Sequence, residues 1–116
     1  MRDLAIQAAG GLAILVAIIH GVLGETKVFA RARIEPAWIR LLLRLVFQCS
    51  TVAWIGFGVL LIAAPCLGSE PARLWIVAAA VAAYGAGAIG NAWATRGRHV
   101  GWMAMTAVSV LALVGA

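Results

Sequence analysis

Charge is what this sequence has least of. Only 11% of its 116 residues are charged, against about 25% in soluble globular domains, which excludes a soluble fold and places the chain in a bilayer. Carboxylates are scarcest, with four Asp and Glu beside nine Lys and Arg. The resulting net charge of +5 does not point to nucleic acid. The basic residues stand at the ends of hydrophobic runs, where topology and anionic headgroups account for them, and no contiguous basic patch carries base-reading aromatics. The two cysteines, Cys49 and Cys66, lie about 17 residues apart, roughly 25 Å along one helix. That is too far to bridge within a chain, and neither has metal-ligand spacing, so they read as small core-filling residues. No low-complexity tract or internal repeat is present. Catalytic machinery is missing too. Cys49, Ser50 and Thr51 are neighbours, but only one histidine falls within a hydrophobic run and no carboxylate is placed to orient it. The expectation is a non-enzymatic protein with no catalytic residue.

What is present is hydrophobic length. Four runs, about 4–23, 38–64, 72–93 and 100–116, are separated by short polar stretches, and the last is about the minimum for a span. The fold class that follows is all-α: a four-helix transmembrane bundle forming one polytopic domain over 1–116. A cleaved leader is the rival reading of the first run, because Val28-Phe-Ala30 resembles a cleavage site. The run is too long for that, and its basic flank is only Arg2 beside Asp3. Gly24 to Ala37 reads as a connection in which Pro36 opens the second helix, and Cys66 to Pro71 reads as a turn. In the third run, Ala83, Gly87 and Asn91 form a ridge of mostly small groups suited to close helix packing.

Basic residues set the expected orientation. Lys27, Arg31, Arg33, Arg40 and Arg44 lie between the first two runs or at the mouth of the second, and Arg96 and Arg98 lie between the last two. Only Arg2 and Arg73 fall on the other side. This bias places both termini outside and the first and third loops in the cytoplasm. Trp38, Trp93 and Trp102 would then mark the inner interface and Trp75 the outer one.

The same topology gathers polar residues at one membrane face. Arg40, Arg44 and Gln48 recur every four residues and Thr51 returns to their face, forming a polar stripe at the start of the second helix. Such a stripe should face other helices, a cavity or the interface rather than lipid tails. His20 shares a helix face with Ala13, Ala17 and Gly24, which marks the packed side. With Glu25, Asn91, Arg98 and His99, these residues form a candidate polar cluster. In its plainest reading His20 bonds a neighbouring helix, His99 serves a helix start or headgroups, Glu25 pairs with an arginine and Arg40 snorkels to phosphate. Arg44, one turn deeper, is harder to dismiss.

Two sharper readings remain open. In one, the cluster is the cytoplasmic vestibule of a homo-oligomeric channel or transporter, with Gln7, Tyr84, Thr106 and Ser109 the sole polar groups to continue a path. In the other, His20 and His99 are ligands of haem or another metal, with arginines meeting the propionates. The two histidines lack the fixed local spacing of a strong metal motif.

Two strings, His20-Gly-Val-Leu-Gly-Glu25 and Arg96-Gly-Arg-His-Val-Gly-Trp102, resemble those of short bacterial four-span integral membrane proteins with no established activity. The resemblance implies a multi-pass place in the bacterial inner (cytoplasmic) membrane and marks His20, Glu25, Arg98 and His99 as residues to test first. It implies no chemistry. A small multidrug exporter would carry a glutamate in mid-span, whereas Glu25 lies at the end of its run. The leading expectation is therefore a small subunit whose partners are the lipid bilayer and either itself or a larger membrane complex.

Overall fold

A computed structural model describes residues 1–116 as four helices with no strands. Helix α1 spans Arg2–Leu23 and runs on through one wider, π-helical turn, Gly24–Phe29. Helix α2 spans Ala37–Ala63 and tightens into a 3₁₀ turn, Ala64–Leu67. Helices α3 and α4 span Glu70–Thr95 and Gly101–Val114. Three of them, counted with their end turns, are long and apolar enough to cross a membrane.

The boundaries differ from the sequence pattern in two places. The stretch from Gly24, expected as a connection, continues α1 as far as Phe29. It contains no proline, and its Glu25 bonds to α2, so nothing stops the helix earlier. The last helix has only 14 residues, about 21 Å at 1.5 Å per residue, which is short of a hydrocarbon core of about 30 Å. Arg96 and Gly97 both adopt left-handed backbone (φ 53° and 73°), so the chain turns sharply and α4 begins only after Val100. At the other turn, Gly68 is left-handed and the Ser69 hydroxyl accepts the Ala72 N–H at 3.3 Å, capping α3.

The helices alternate in direction. α1 packs most closely on α2, α3 on α4, and α4 closes back on α1, while α2 and α3 touch least of these four neighbouring pairs. The bundle thus has two ends. The connections α1–α2 and α3–α4 occupy the basic end; the chain termini and the α2–α3 turn occupy the terminal end.

Small residues set the packing. A Cβ at Gly10 would sit 2.5 Å from the Gly58 carbonyl oxygen, and one at Gly58 would sit 2.8 Å from that of Gly10, so α1 and α2 cross backbone to backbone. Around the crossing, Ile6, Ala9, Leu61, Val77 and Ala112 form one buried cluster. Nearer the basic end, Ala13, Tyr84, Ala88, Met105 and Val108 form a second. By contrast, α2 buries only Thr51, Gly58 and Leu61 and turns side chains such as Leu41, Leu45, Val52 and Val59 outward.

Tyr84 joins three helices. It is fully buried, and its hydroxyl lies 2.9 Å from the Ala13 carbonyl oxygen on α1 and 3.1 Å from that of Trp54 on α2. A phenol has one proton, which these two acceptors share. Tyr84→Phe is expected to lower stability by about 1 kcal/mol, the usual worth of a buried interhelical hydrogen bond, without loss of helix content. Unfolding in a detergent titration followed by circular dichroism checks this.

Candidate functional site

The polar stripe of α2 meets the end of α1. Arg44 places Nε and Nη2 at 2.7 and 2.6 Å from Glu25 Oε2, a forked contact suited to a guanidinium. Gln48 Nε2 donates to the other carboxylate oxygen at 2.9 Å and to the Gly21 carbonyl oxygen at 3.1 Å. Arg40 donates to the carbonyl of Phe29, and Thr51 is buried beside Gly21. Each polar side chain of the stripe above Thr51 therefore has a partner on α1 or its terminal turn. Their work is to hold the first connection against α2.

His20 faces a different way from Glu25. Its ring stacks on Phe47 (centroids 4.1 Å apart, planes at 10°) and on Trp54 (4.8 Å, 30°), while Nε2 lies 3.3 Å from Ser50 Oγ. Gly24, one turn along, has no room for a side chain, since a Cβ there would come within 2.2 Å of the Phe47 ring. The glycine is what lets Phe47 lie flat under the histidine.

Beside this aromatic stack is a cavity of about 450 Å³, within the roughly 300–1,000 Å³ typical of small-molecule sites. All four helices contribute to its wall: Val16, His20 and Leu23 from α1, Phe47 and Trp54 from α2, Asn91 and Thr95 from α3, and Ala104 and Met105 from α4. His99, in the α3–α4 connection, lines it as well. Beyond it toward the terminal end the bundle is filled by the buried cluster around Tyr84 and Val108. The cavity is blind in that direction.

The candidate cluster is thus divided in two. His20, Asn91 and His99 line the cavity, Glu25, Arg44 and Gln48 form the bonded triad outside it, and Arg40 bonds the terminal turn of α1. Arg98 is exposed, and its side chain makes no hydrogen bond or ion pair. Nowhere do three His, Cys, Asp or Glu side chains converge in a way that would hold a metal ion.

Hydrogen bonds define what each cavity group still offers. Ser50 donates its proton to the Phe47 carbonyl at 2.6 Å, so its oxygen accepts from His20 Nε2–H. The neutral imidazole then keeps a lone pair on Nδ1, which makes no bond within the chain. His99 Nδ1 accepts the Gly101 N–H at 3.1 Å, which leaves its proton on Nε2 as a donor. Thr95 donates to the Asn91 carbonyl at 2.7 Å. Asn91 Oδ1 is enclosed, out of reach of a molecule in the cavity, and has no partner, an uncommon state for a buried polar atom.

Three participants were not evident from sequence. Trp54 and Phe47 read as ordinary apolar residues of a long run, and their stacking on His20 depends on a contact between helices. Arg73 read only as an outer-side charge, yet it is 8% exposed at the terminal end, with Nε on the Gly115 carbonyl at 2.8 Å and Nη1 on Asp3 at 2.7 Å. Gly24, whose missing side chain leaves room for the Phe47 ring, was the available signal for Phe47.

Comparison of the chain with family models, with curated proteins and with solved structures finds no match.

Proposed function

We propose that this chain is a small non-enzymatic integral membrane protein that acts by association, as an accessory subunit of a membrane complex or with itself. Its working part is the blind cavity at the basic end, which holds a small molecule. The observation that carries this reading is a contrast: Glu25, Arg44 and Gln48 outside the cavity are bonded to one another, while His20, Asn91 and His99 line a shared space with ring or amide nitrogens left unbonded. Such convergence of a few polar atoms in a mostly apolar hollow is characteristic of ligand sites.

The proposed setting is the bacterial inner membrane, with the termini outside and the basic end in the cytoplasm. Seven of the nine Lys and Arg residues at or near that end support this orientation. A channel or transporter is the second reading, and the cavity alone favours it. A path through one bundle would have to pass Tyr84, Met105 and Val108, all buried, so conduction would require a route between copies.

The test is purification in mild detergent followed by native mass spectrometry and, in parallel, solute-release assays on proteoliposomes. The expected result is a bound small molecule that is lost in Ala104→Phe, which fills the cavity, and no release above that of empty vesicles. Release that depends on His20 would overturn the binding reading in favour of a pathway.

A further inference from the structure

We infer that the cavity seats an acyl chain of an anionic phospholipid, whose phosphate stays outside at the mouth with Lys27 and Arg98. This rests on the reading of the cavity as a ligand site and names the class of ligand.

The two ends of the bundle treat charge differently. At the terminal end Arg2 pairs with Glu70 and Arg73 with Asp3, so cations and carboxylates match. The net charge of +5 therefore belongs to the basic end. There Arg44 pairs with Glu25 and Arg40 bonds the Phe29 carbonyl, but Lys27, Arg31, Arg33, Arg96 and Arg98 are exposed and enter no ion pair. The remaining carboxylate, Glu35, is exposed and equally unpaired. Counter-charge for these cations has to come from outside the chain. Trp38 and Trp93 are exposed at the same end, the level at which such rings sit among headgroups. Anionic lipid phosphates lie at that depth and attract Lys and Arg.

The cavity opens sideways. Ile19 and Val28 on α1 and Val100 ahead of α4 line it and are also exposed on the bundle surface. The gap between them exists because α4 begins only at Gly101, while α1 with its end turn continues to Phe29. A lipid can thus slide a chain in without leaving the membrane, which an acidic segment of a protein partner could not do. Lys27 precedes Val28 and stands one turn beyond Leu23; Arg98 precedes His99; all three of these neighbours line the cavity. Cations therefore flank the mouth, whereas no charged side chain lines the interior. An amphiphile with its charge at the rim fits that division, since an anion drawn inside would lack a counter-charge.

The groups left over near the mouth are donors. His99 keeps a proton on Nε2, because its Nδ1 accepts the Gly101 N–H. Asn91 Nδ2 is unbonded and faces Gly101, where an added Cβ would lie 3.4 Å from it. At the junction of headgroup and chain a diacyl phospholipid presents only acceptors, its ester carbonyls and phosphate oxygens, so it complements both donors. A neutral diacyl lipid would satisfy them equally but leave the rim cations unmatched.

The test is native mass spectrometry of the full chain in mild detergent with added dioleoyl phosphatidylglycerol, dioleoyl phosphatidylcholine or oleate. The expected result is one phosphatidylglycerol per chain, retained about tenfold more than phosphatidylcholine. Joint Lys27→Gln and Arg98→Gln substitution should erase most of that preference, joint Arg31→Gln and Arg33→Gln should keep most of it, and Ala104→Phe should weaken retention of both phospholipids. Circular dichroism should be unchanged in the two glutamine pairs. Equal retention of the two phospholipids, equal losses in the two pairs, or phosphatidylglycerol retention unaffected by Ala104→Phe would overturn the assignment. Retention of oleate or of a co-purified neutral molecule in place of phosphatidylglycerol would overturn it too, and leave the cavity a ligand site. Absence of every added lipid, with nothing co-purifying, would overturn both readings.

Discussion

Gly10→Ala is expected to destabilise the bundle by about 2–3 kcal/mol, whereas Gly11→Ala, one position along the same helix, should stay within about 0.5 kcal/mol of the parent. The contrast follows from the α1–α2 crossing. At Gly10 an added methyl would meet the Gly58 carbonyl oxygen at 2.5 Å and Ile62 Cγ1 at 2.6 Å, while at Gly11 nothing lies within 4 Å. Backbone occupies one side of the collision, so relief requires moving a whole helix. Separating α1 from α2 would also pull Glu25 from Arg44 and His20 from Ser50, so the variant should lose the proposed ligand binding along with stability. Denaturation in mixed micelles, followed by circular dichroism for both variants, measures the difference. Equal costs at the two positions would show that α1 and α2 do not cross at this point.

Arg73→Ala should be comparably damaging, at about 2–4 kcal/mol, and Arg73→Lys should recover little of it. Arg73 is 8% exposed, and its guanidinium links α3 to the Gly115 carbonyl, a charge-assisted bond worth about 1.5–3 kcal/mol, and to the exposed carboxylate of Asp3, worth under about 1 kcal/mol. A lysine carries its three donors on a single nitrogen and cannot reproduce the spacing of the guanidinium Nε and Nη1 that serve the two acceptors. The partner carboxylate behaves differently. Its side chain is 63% exposed, so Asp3→Asn should cost under about 1 kcal/mol, in the range of exposed pairs. The neighbouring Arg2–Glu70 pair, at 3.3 Å with both side chains more than half exposed, should contribute as little. The same unfolding titration, run on Arg73→Ala, Arg73→Lys and Asp3→Asn, ranks the three.

These two sites mark where sequence reasoning stops. The glycines of α1 and α2 are visible in the sequence, but Gly10 and Gly11 are adjacent and chemically identical. Only the crossing distinguishes the one that touches from the one that does not. Arg73 sits beside the α2–α3 turn, where an interfacial charge is ordinary. Its burial depends on α4 ending beside it, which no local pattern announces.

At the basic end the same division holds within a few residues. The spacing of Arg40, Arg44, Gln48 and Thr51 placed them on one face of a helix, and Glu25 was the available acid near their depth. Those are consequences of helical periodicity and of the scarcity of carboxylates, and both can be read along a single chain. Whether His20 lies with Glu25 or apart from it could not be read that way. The two are five residues apart, and the division of α1 between the Gln48 side and the Phe47–Trp54 side depends on how α1 is rotated against α2.

By itself, then, the sequence determined the helical class, the hydrophobic lengths, the charge asymmetry between the two ends and the small-residue faces, because each is a property of composition or of local period. The tertiary structure decided the rest: that Tyr84 bonds two helices at once, that Arg73 is enclosed, and that His20, Asn91 and His99 share a hollow while Glu25 closes on Arg44. Those outcomes depend on contacts between residues from 19 to 79 positions apart. They are set by how four helices rotate and cross, a choice made by shape complementarity across the whole bundle that no stretch of chain carries alone.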